Sequence, residues 1–334
     1  MIRSVAAALL VVFTAVPLRA DPNDARRDSK LDPFVQEALK WLPVDVETVV
    51  VSQGSLEFDA AFKHSEPKAV FQSLPMGLVT EIRKGMLRDP LQGQKVACAV
   101  EGSRRFRSPS GLGLGPYDGC EILRFAEGAD DAAKIAFQFC RDRADAKDEI
   151  GGRQVAVFRE KWEADDWTLL VAQPRPQILL CATDRRFLEE VLARMDGKGA
   201  GRALPEDLSE WEHVNVKAPV WGVRHYRKET AADDPTSPLR SAAAANHPDS
   251  EAIGFVFWYD PKSANPITAR YLTKADTSTR VFADFLGLSK ADQKPEITVV
   301  ARGVVELTAK AGAKDGWATL LLVLLAYLGH AVNI

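Results

Sequence analysis

Residues 46–52 (VETVVVS) form a dense run of β-branched side chains and read as a strand, closed by Gly54. The elements after it decide the fold. Residues 68–87 read as a helix in two pieces, broken around Pro75 and Gly77. Residues 94–101 (QKVACAVE) and 119–126 (GCEILRFA) read as strands, with a long loop between them. Asp130 opens a helix to about Arg143, with Ala132, Ile135, Ala136 and Phe139 on one stripe. Residues 153–160 supply the next strand. The order over 46–160 is therefore β-α-β-β-α-β, the split βαβ arrangement of ferredoxin-like domains.

Working outward, Asp32-Pro33 caps and opens a helix to Leu42, with Phe34, Ala38 and Trp41 on one face. Residues 167–173 and 177–182 read as strands. Asp184 caps a helix to Met195, and Gly197 ends it. The stretch 197–202 (GKGAGR) is the best domain boundary. Beyond it the chain is rich in strands, at 220–226, 253–259, 267–273, 296–301 and 304–309. A polar insertion occupies 229–250, and residues 276–286 read as a further helix. No sequence repeat is visible, but the element order makes the second half a candidate decayed relative of the first.

The expected architecture is α+β. It has two antiparallel-sheet halves, 31–196 and 203–334, the first with ferredoxin-like order, and a C-terminal apolar helix packed on the core. Residues 1–20 read as a signal peptide: Arg3 precedes the apolar run 5–16, Pro17 breaks it, and Ala20 offers a small residue before the cut. Residues 21–30 (DPNDARRDSK) are a polar leader. The last eighteen residues, 317–334 (WATLLLVLLAYLGHAVNI), contain no Lys, Arg, Asp or Glu. As a helix they would span about 27 Å, short of the roughly 30 Å hydrocarbon core. A buried helix is expected there, with a membrane tether as the alternative.

Charge and cysteine content exclude some classes. Lys and Arg number 43 against 46 Asp and Glu, a net charge of -3, which argues against a nucleic-acid partner. Four cysteines are too few for a disulfide-built scaffold, and no C-x-x-C pair or histidine spacing suggests a metal. Cys98, Cys120, Cys140 and Cys181 sit at apolar positions and read as buried thiols. Export allows a disulfide, and Cys98–Cys120 is the favoured pair because their strands are candidate neighbours. The loop Gly111-Leu-Gly113-Leu-Gly115 lacks phosphate-loop spacing, and no cofactor is expected.

Two constellations bear on chemistry. Ser65-Glu66-Pro67-Lys68 fits S-x-x-K at a helix start, similar to serine acyl-enzymes of the penicillin-binding type. There Ser65 would be the nucleophile and Lys68 the group that activates it. Ser263-Ala264-Asn265 fits S-x-N, but Ala311 replaces the hydroxyl residue in Lys310-Ala311-Gly312. The second constellation is aromatic. Trp221, His225, Trp258 and Arg270 fall on three consecutive strands, and alternate residues of a one-faced sheet point outward. They are the candidate binding residues for a glycan, peptide or envelope-protein partner.

Three stretches, LPVDVETVVVSQG (42–54), PQILLCATDRRFLEEVL (176–192) and LLAYLGHAVNI (324–334), resemble segments of uncharacterised exported bacterial proteins. The resemblance implies export and a shared fold, and carries no catalytic motif. The leading expectation is an exported, periplasmic or extracellular, non-enzymatic binding or structural module. The alternatives are an exported serine hydrolase using Ser65 and Lys68, and an envelope protein tethered by residues 317–334.

Overall fold

The computed structural model describes residues 31–53, 96–104, 118–126, 131–162, 165–226, 252–260, 262–263, 265, 267–274 and 296–309. Twelve strands and three α-helices lie within them. They are α1 (Pro33–Trp41), β1 (Thr48–Gln53), β2 (Val96–Ser103), β3 (Gly119–Phe125), α2 (Ala132–Arg143), β4 (Ala146–Ile150), β5 (Arg153–Trp162), β6 (Asp165–Arg175), β7 (Ile178–Ala182), α3 (Arg185–Met195), β8 (Val220–His225), β9 (Ala252–Tyr259), β10 (Ile267–Thr273), β11 (Glu296–Ala301) and β12 (Val304–Ala309). A 3₁₀ turn, Ser209–Glu212, lies between α3 and β8.

All twelve strands join one antiparallel sheet, in the order β11-β12-β10-β9-β8-β1-β2-β3-β7-β6-β5-β4. This corrects the expected pair of sheet halves and the ferredoxin-like order. A split βαβ domain places its third strand between its first and second, whereas β1 pairs directly with β2 on one side and with β8, from beyond the expected first half, on the other. The sheet thus runs straight through the expected boundary at 197–202. The expected C-terminal helix and the run 317–334 lie outside the described residues, as do residues 1–30, 68–87, 229–250 and 276–286. No helix among the described residues is long and apolar enough to cross a membrane.

Strand order is nearly symmetric about the β1–β8 seam. Each flank leaves the seam as three consecutive strands, then continues with a strand that returns later in the chain: β7 beside β3, and β12 beside β10. Hairpin chemistry fixes the outermost turn of the longer flank, between β4 and β5. Gly151 and Gly152, at φ of +58° and +73°, form the two-residue turn between Ile150 and Arg153, a type I′ geometry that matches strand twist.

Alternation sorts the side chains between two faces. Val49, Val51, Val100, Ile122, Leu180, Val223 and Trp221 share one core with Val35, Ala38 and Leu39 of α1 and Phe187, Leu188 and Val191 of α3. Ala99, Leu123, Phe125, Ala156, Leu169, Val171 and Leu179 face the other way, under Ala132, Ala133, Ala136 and Phe137 of α2. Each fully buried Leu or Phe here contributes about 1.5–3 kcal/mol by leaving water. Both remaining helices carry their expected caps: Asp32 Oδ1 accepts from Phe34 N–H at 2.8 Å, and Asp184 Oδ1 accepts from Phe187 N–H at 2.8 Å.

Close packing makes Gly222 a sensitive position. A Cβ there would lie 2.2 Å from Cε1 of the buried Phe257 across the β8–β9 pair. Gly222→Ala is expected to lower unfolding free energy by about 1–3 kcal/mol, the range for overpacking a dense interior. Urea denaturation checks it, and an unchanged midpoint would show that Phe257 gives way freely.

Candidate functional site

Two regions merit description, one foreseen in the sequence and one not. The foreseen region lies on the β1–β8–β9–β10 part of the sheet. Register places Trp221 opposite Trp258, His225 opposite Gly254, and Arg270 opposite both Val256 and Glu306. Trp221, His225, Trp258 and Arg270 therefore share one face. The chain itself crosses that face: Leu204, Leu208, Trp211, Val214 and Val216 pack there between α3 and β8.

This strap uses most of what the four residues offer. Trp221 is fully buried and meets Trp211 edge to face at 6.0 Å, while its Nε1 has no hydrogen-bond partner among the described residues. Trp258 is half-buried, with the Arg270 guanidinium 5.0 Å from its ring centre. Arg270 donates to Glu306 Oε2 at 2.8 Å and to the His213 carbonyl at 3.2 Å. Burial, helped by Arg270, pushes the His213 imidazole below its ordinary pKa, so it is neutral at neutral pH.

His225 makes the deepest contact. Its Nδ1 lies 2.6 Å from Oε1 of Glu210, whose side chain is fully buried in the 3₁₀ turn. The Ser209 hydroxyl donates to Oε2 of the same carboxylate at 3.3 Å. Gly254 makes room, because a Cβ there would lie 2.3 Å from Glu210 Oε1. The backbone N–H of His225 donates to Glu47 O at 2.9 Å. Nothing in the sequence paired His225 with Glu210, since the link is tertiary and Glu210 sits in an irregular segment.

The unforeseen region is a groove of about 530 Å³ between α1, β3 and the β6–β7 turn. Its lining includes Phe34 and Trp41 of α1, Arg124 of β3, Arg175 and Pro176. The two rings meet edge to face at 6.0 Å. Arg124 sits over Phe34 at 4.6 Å and Arg175 over Trp41 at 4.7 Å. Arg175 is committed, donating to Glu37 Oε1 at 2.9 Å and to the Met195 carbonyl at 3.2 Å.

The remaining candidates are placed as follows. Ser65 and Lys68 lie outside the described residues. The Ser263 hydroxyl accepts from the Asn265 N–H at 3.2 Å, closing a local turn. Cys98 and Cys120 are free buried thiols on one sheet face, so the favoured disulfide is not made. Cys98 pairs with Arg124 and Cys120 with Gly102, which sets the two about 13 Å apart along the strands, beyond the roughly 7 Å that a bridge spans. Among the described residues, no three His, Cys, Asp or Glu side chains are placed to hold a metal ion. Comparison of the chain with family models, curated proteins and solved structures gives no match.

Burial raises the thiols of Cys98 and Cys140 to about 12, and pushes Cys120 up as well. At pH 8 Cys98 and Cys140 would then be thiolate to about one part in ten thousand. A disulfide-exchange thiol reagent is expected to titrate none of the four cysteines in native protein and all four in denaturant. Two missing thiols after denaturation would reveal a bridge. Removing the imidazole should also tell. His225→Leu is expected to cost about 1 kcal/mol, because the fully buried Glu210 side chain loses the hydrogen-bond partner of its Oε1. The figure is at the low end of the range for an unsatisfied buried polar group, since His225 keeps 29% of its side chain exposed. Adding Glu210→Met is expected to recover at least half of the loss in urea titrations. No recovery would show that the pair does more than satisfy a buried polar group.

Proposed function

We propose that the chain is an exported, non-enzymatic binding module that takes its ligand in the groove beside α1. The carrying observation is the groove itself: an open cleft of about 530 Å³ with an aromatic floor and two guanidinium groups over the rings. Concave apolar surface with a few fixed polar groups is the usual form of a binding site. The apolar run at 5–16 supports export. The aromatic strands are a weaker candidate, because the strap from 203 to 216 already occupies their face.

The test is an NMR titration of the mature chain with a pool of random-sequence peptides, followed by mass spectrometry of the pool. The Trp41 indole N–H, assigned with Trp41→Phe, is expected to shift while Trp221 and Trp258 stay put and every peptide is recovered intact. Peptide cleavage, or fluorophosphonate labelling that Ser65→Ala abolishes, would replace this reading with the serine hydrolase.

A further inference from the structure

Arginine over an aromatic ring recurs in this chain, at Phe187, Phe139 and Trp211 as well as in the groove. Stacking therefore does not by itself mark a site. Hydrogen bonds separate most of them, and place separates Arg143, which makes no such bond among the described residues but is exposed at the end of α2 and does not line the groove. Arg104 is spent on Asp45 and Glu190, and Arg175 on Glu37 and Met195 O. Arg202 is spent on Glu206 and on the Ala203 carbonyl.

Arg124 differs. Its side chain is 33% exposed, held over Phe34 by the ring, and its nearest carboxylate oxygen is Asp32 Oδ1 at 3.7 Å. That is beyond hydrogen-bond distance. The reason is visible in the cap: the same Oδ1 accepts from Phe34 N–H at 2.8 Å. Drawing Asp32 Oδ1 closer to Arg124 would pull it off the helix N-terminus, a cap worth about 1 kcal/mol. A planar group with five donors is thus positioned in a groove where, among the described residues, no carboxylate engages it at hydrogen-bond distance.

We infer that Arg124 anchors a carboxylate of an acidic peptide segment, whose apolar side chains lie against the floor of the groove. The inference rests on the binding reading above. Chemistry favours a carboxylate because a guanidinium binds it through two parallel hydrogen bonds. A peptide suits the lining, where Pro33, Phe34, Trp41, Pro176 and Ile178 alternate with the charges. Pro33 and Pro176 have no N–H, so the groove recognises side chains of an extended partner better than its backbone. The other charged groups facing the groove are Glu37, held by Arg175, and Asp32, held by the cap. A carboxylate reaching Arg124 breaks neither contact.

Calorimetric titration of the mature chain with two probe peptides decides it: acetyl-Phe-Glu-Phe-Glu-amide and its neutral isostere acetyl-Phe-Gln-Phe-Gln-amide. The acidic peptide is expected to bind about tenfold tighter. Arg124→Gln is expected to erase that difference and Arg124→Lys to keep only part of it, with melting temperatures confirming that both variants fold. Asp32→Asn, which retains a capping side chain and removes the competing charge, is expected to tighten the acidic peptide severalfold. Equal affinity for the two peptides overturns the carboxylate anchor and leaves the groove as a binding site. A difference that survives Arg124→Gln overturns the role of Arg124. Binding of neither peptide overturns the inference and the groove reading together.

Discussion

The fold depends on β1 being paired along both edges. Val49 stands between Gly102 on β2 and Val223 on β8, and Val51 between Val100 and Trp221. Without this strand the two flanks of the sheet share no hydrogen-bonded neighbour. Its position also sets what lies above. α1 ends only six residues before β1, and Leu42 settles directly on Gly102, where a Cβ would come within 2.5 Å of it. That close approach fixes the height of α1 over the sheet, and with it the positions of Phe34 and Trp41. At the same end of the seam, Glu47 O receives the His225 N–H. The groove and the buried His225–Glu210 contact are both held in place by the strand that joins the flanks.

Hydrogen bonds to backbone carbonyls then tie the covering helices to one another. Arg194 of α3 donates to the Lys40 carbonyl at the end of α1 and to the carbonyl of Gly201, and the Ala203 N–H donates to Leu39 O. The bonds to Leu39 and Lys40 use the free carbonyls that a helix C-terminus leaves behind. Exposed ion pairs such as Arg185–Glu189 add little, because water screens them. The contacts to backbone carbonyls matter more, since they fix the path by which the chain leaves α3 and starts across the second flank.

Individual elements were legible in the sequence, and their pairing was not. The strands at 267–273, 296–301 and 304–309 fall where alternation and β-branching put them, and Asp32 and Asp184 cap as expected. β4 was missed because its residues, AKDEI, are mostly polar, as an edge strand's are. The topology was misread because the order of elements along the chain does not state which strand edges meet; β1 finds β8 across more than 160 residues of chain. For the sites the signal was uneven. Face parity correctly places Trp221 and His225 together, yet the covering strap is irregular and has no period to read. Arg124 did leave a trace: it occupies the third position of an alternating row whose other members, Cys120 and Ile122, are buried. A charge on a core-facing row needs a reason, and here it is the mouth of the groove.

The two regions divide along a physical line. On the aromatic strands, most groups that would attract a partner already have one from the chain: Trp211 covers Trp221, Glu210 takes His225, and Glu306 with the His213 carbonyl takes Arg270. A contact held this way resists exchange, because parting His225 from Glu210 would leave a fully buried polar side chain without its partner. Segment 203–216 therefore covers this face from within the chain. The groove is the reverse case. Its rings are covered by guanidinium groups, its acids are committed to a cap and to Arg175, and the donors of Arg124 face a cleft open to solvent. On the binding reading proposed above, an incoming carboxylate would gain bonds there while leaving the Asp32 cap and the Glu37–Arg175 pair intact, which is the condition for recognition at low conformational cost.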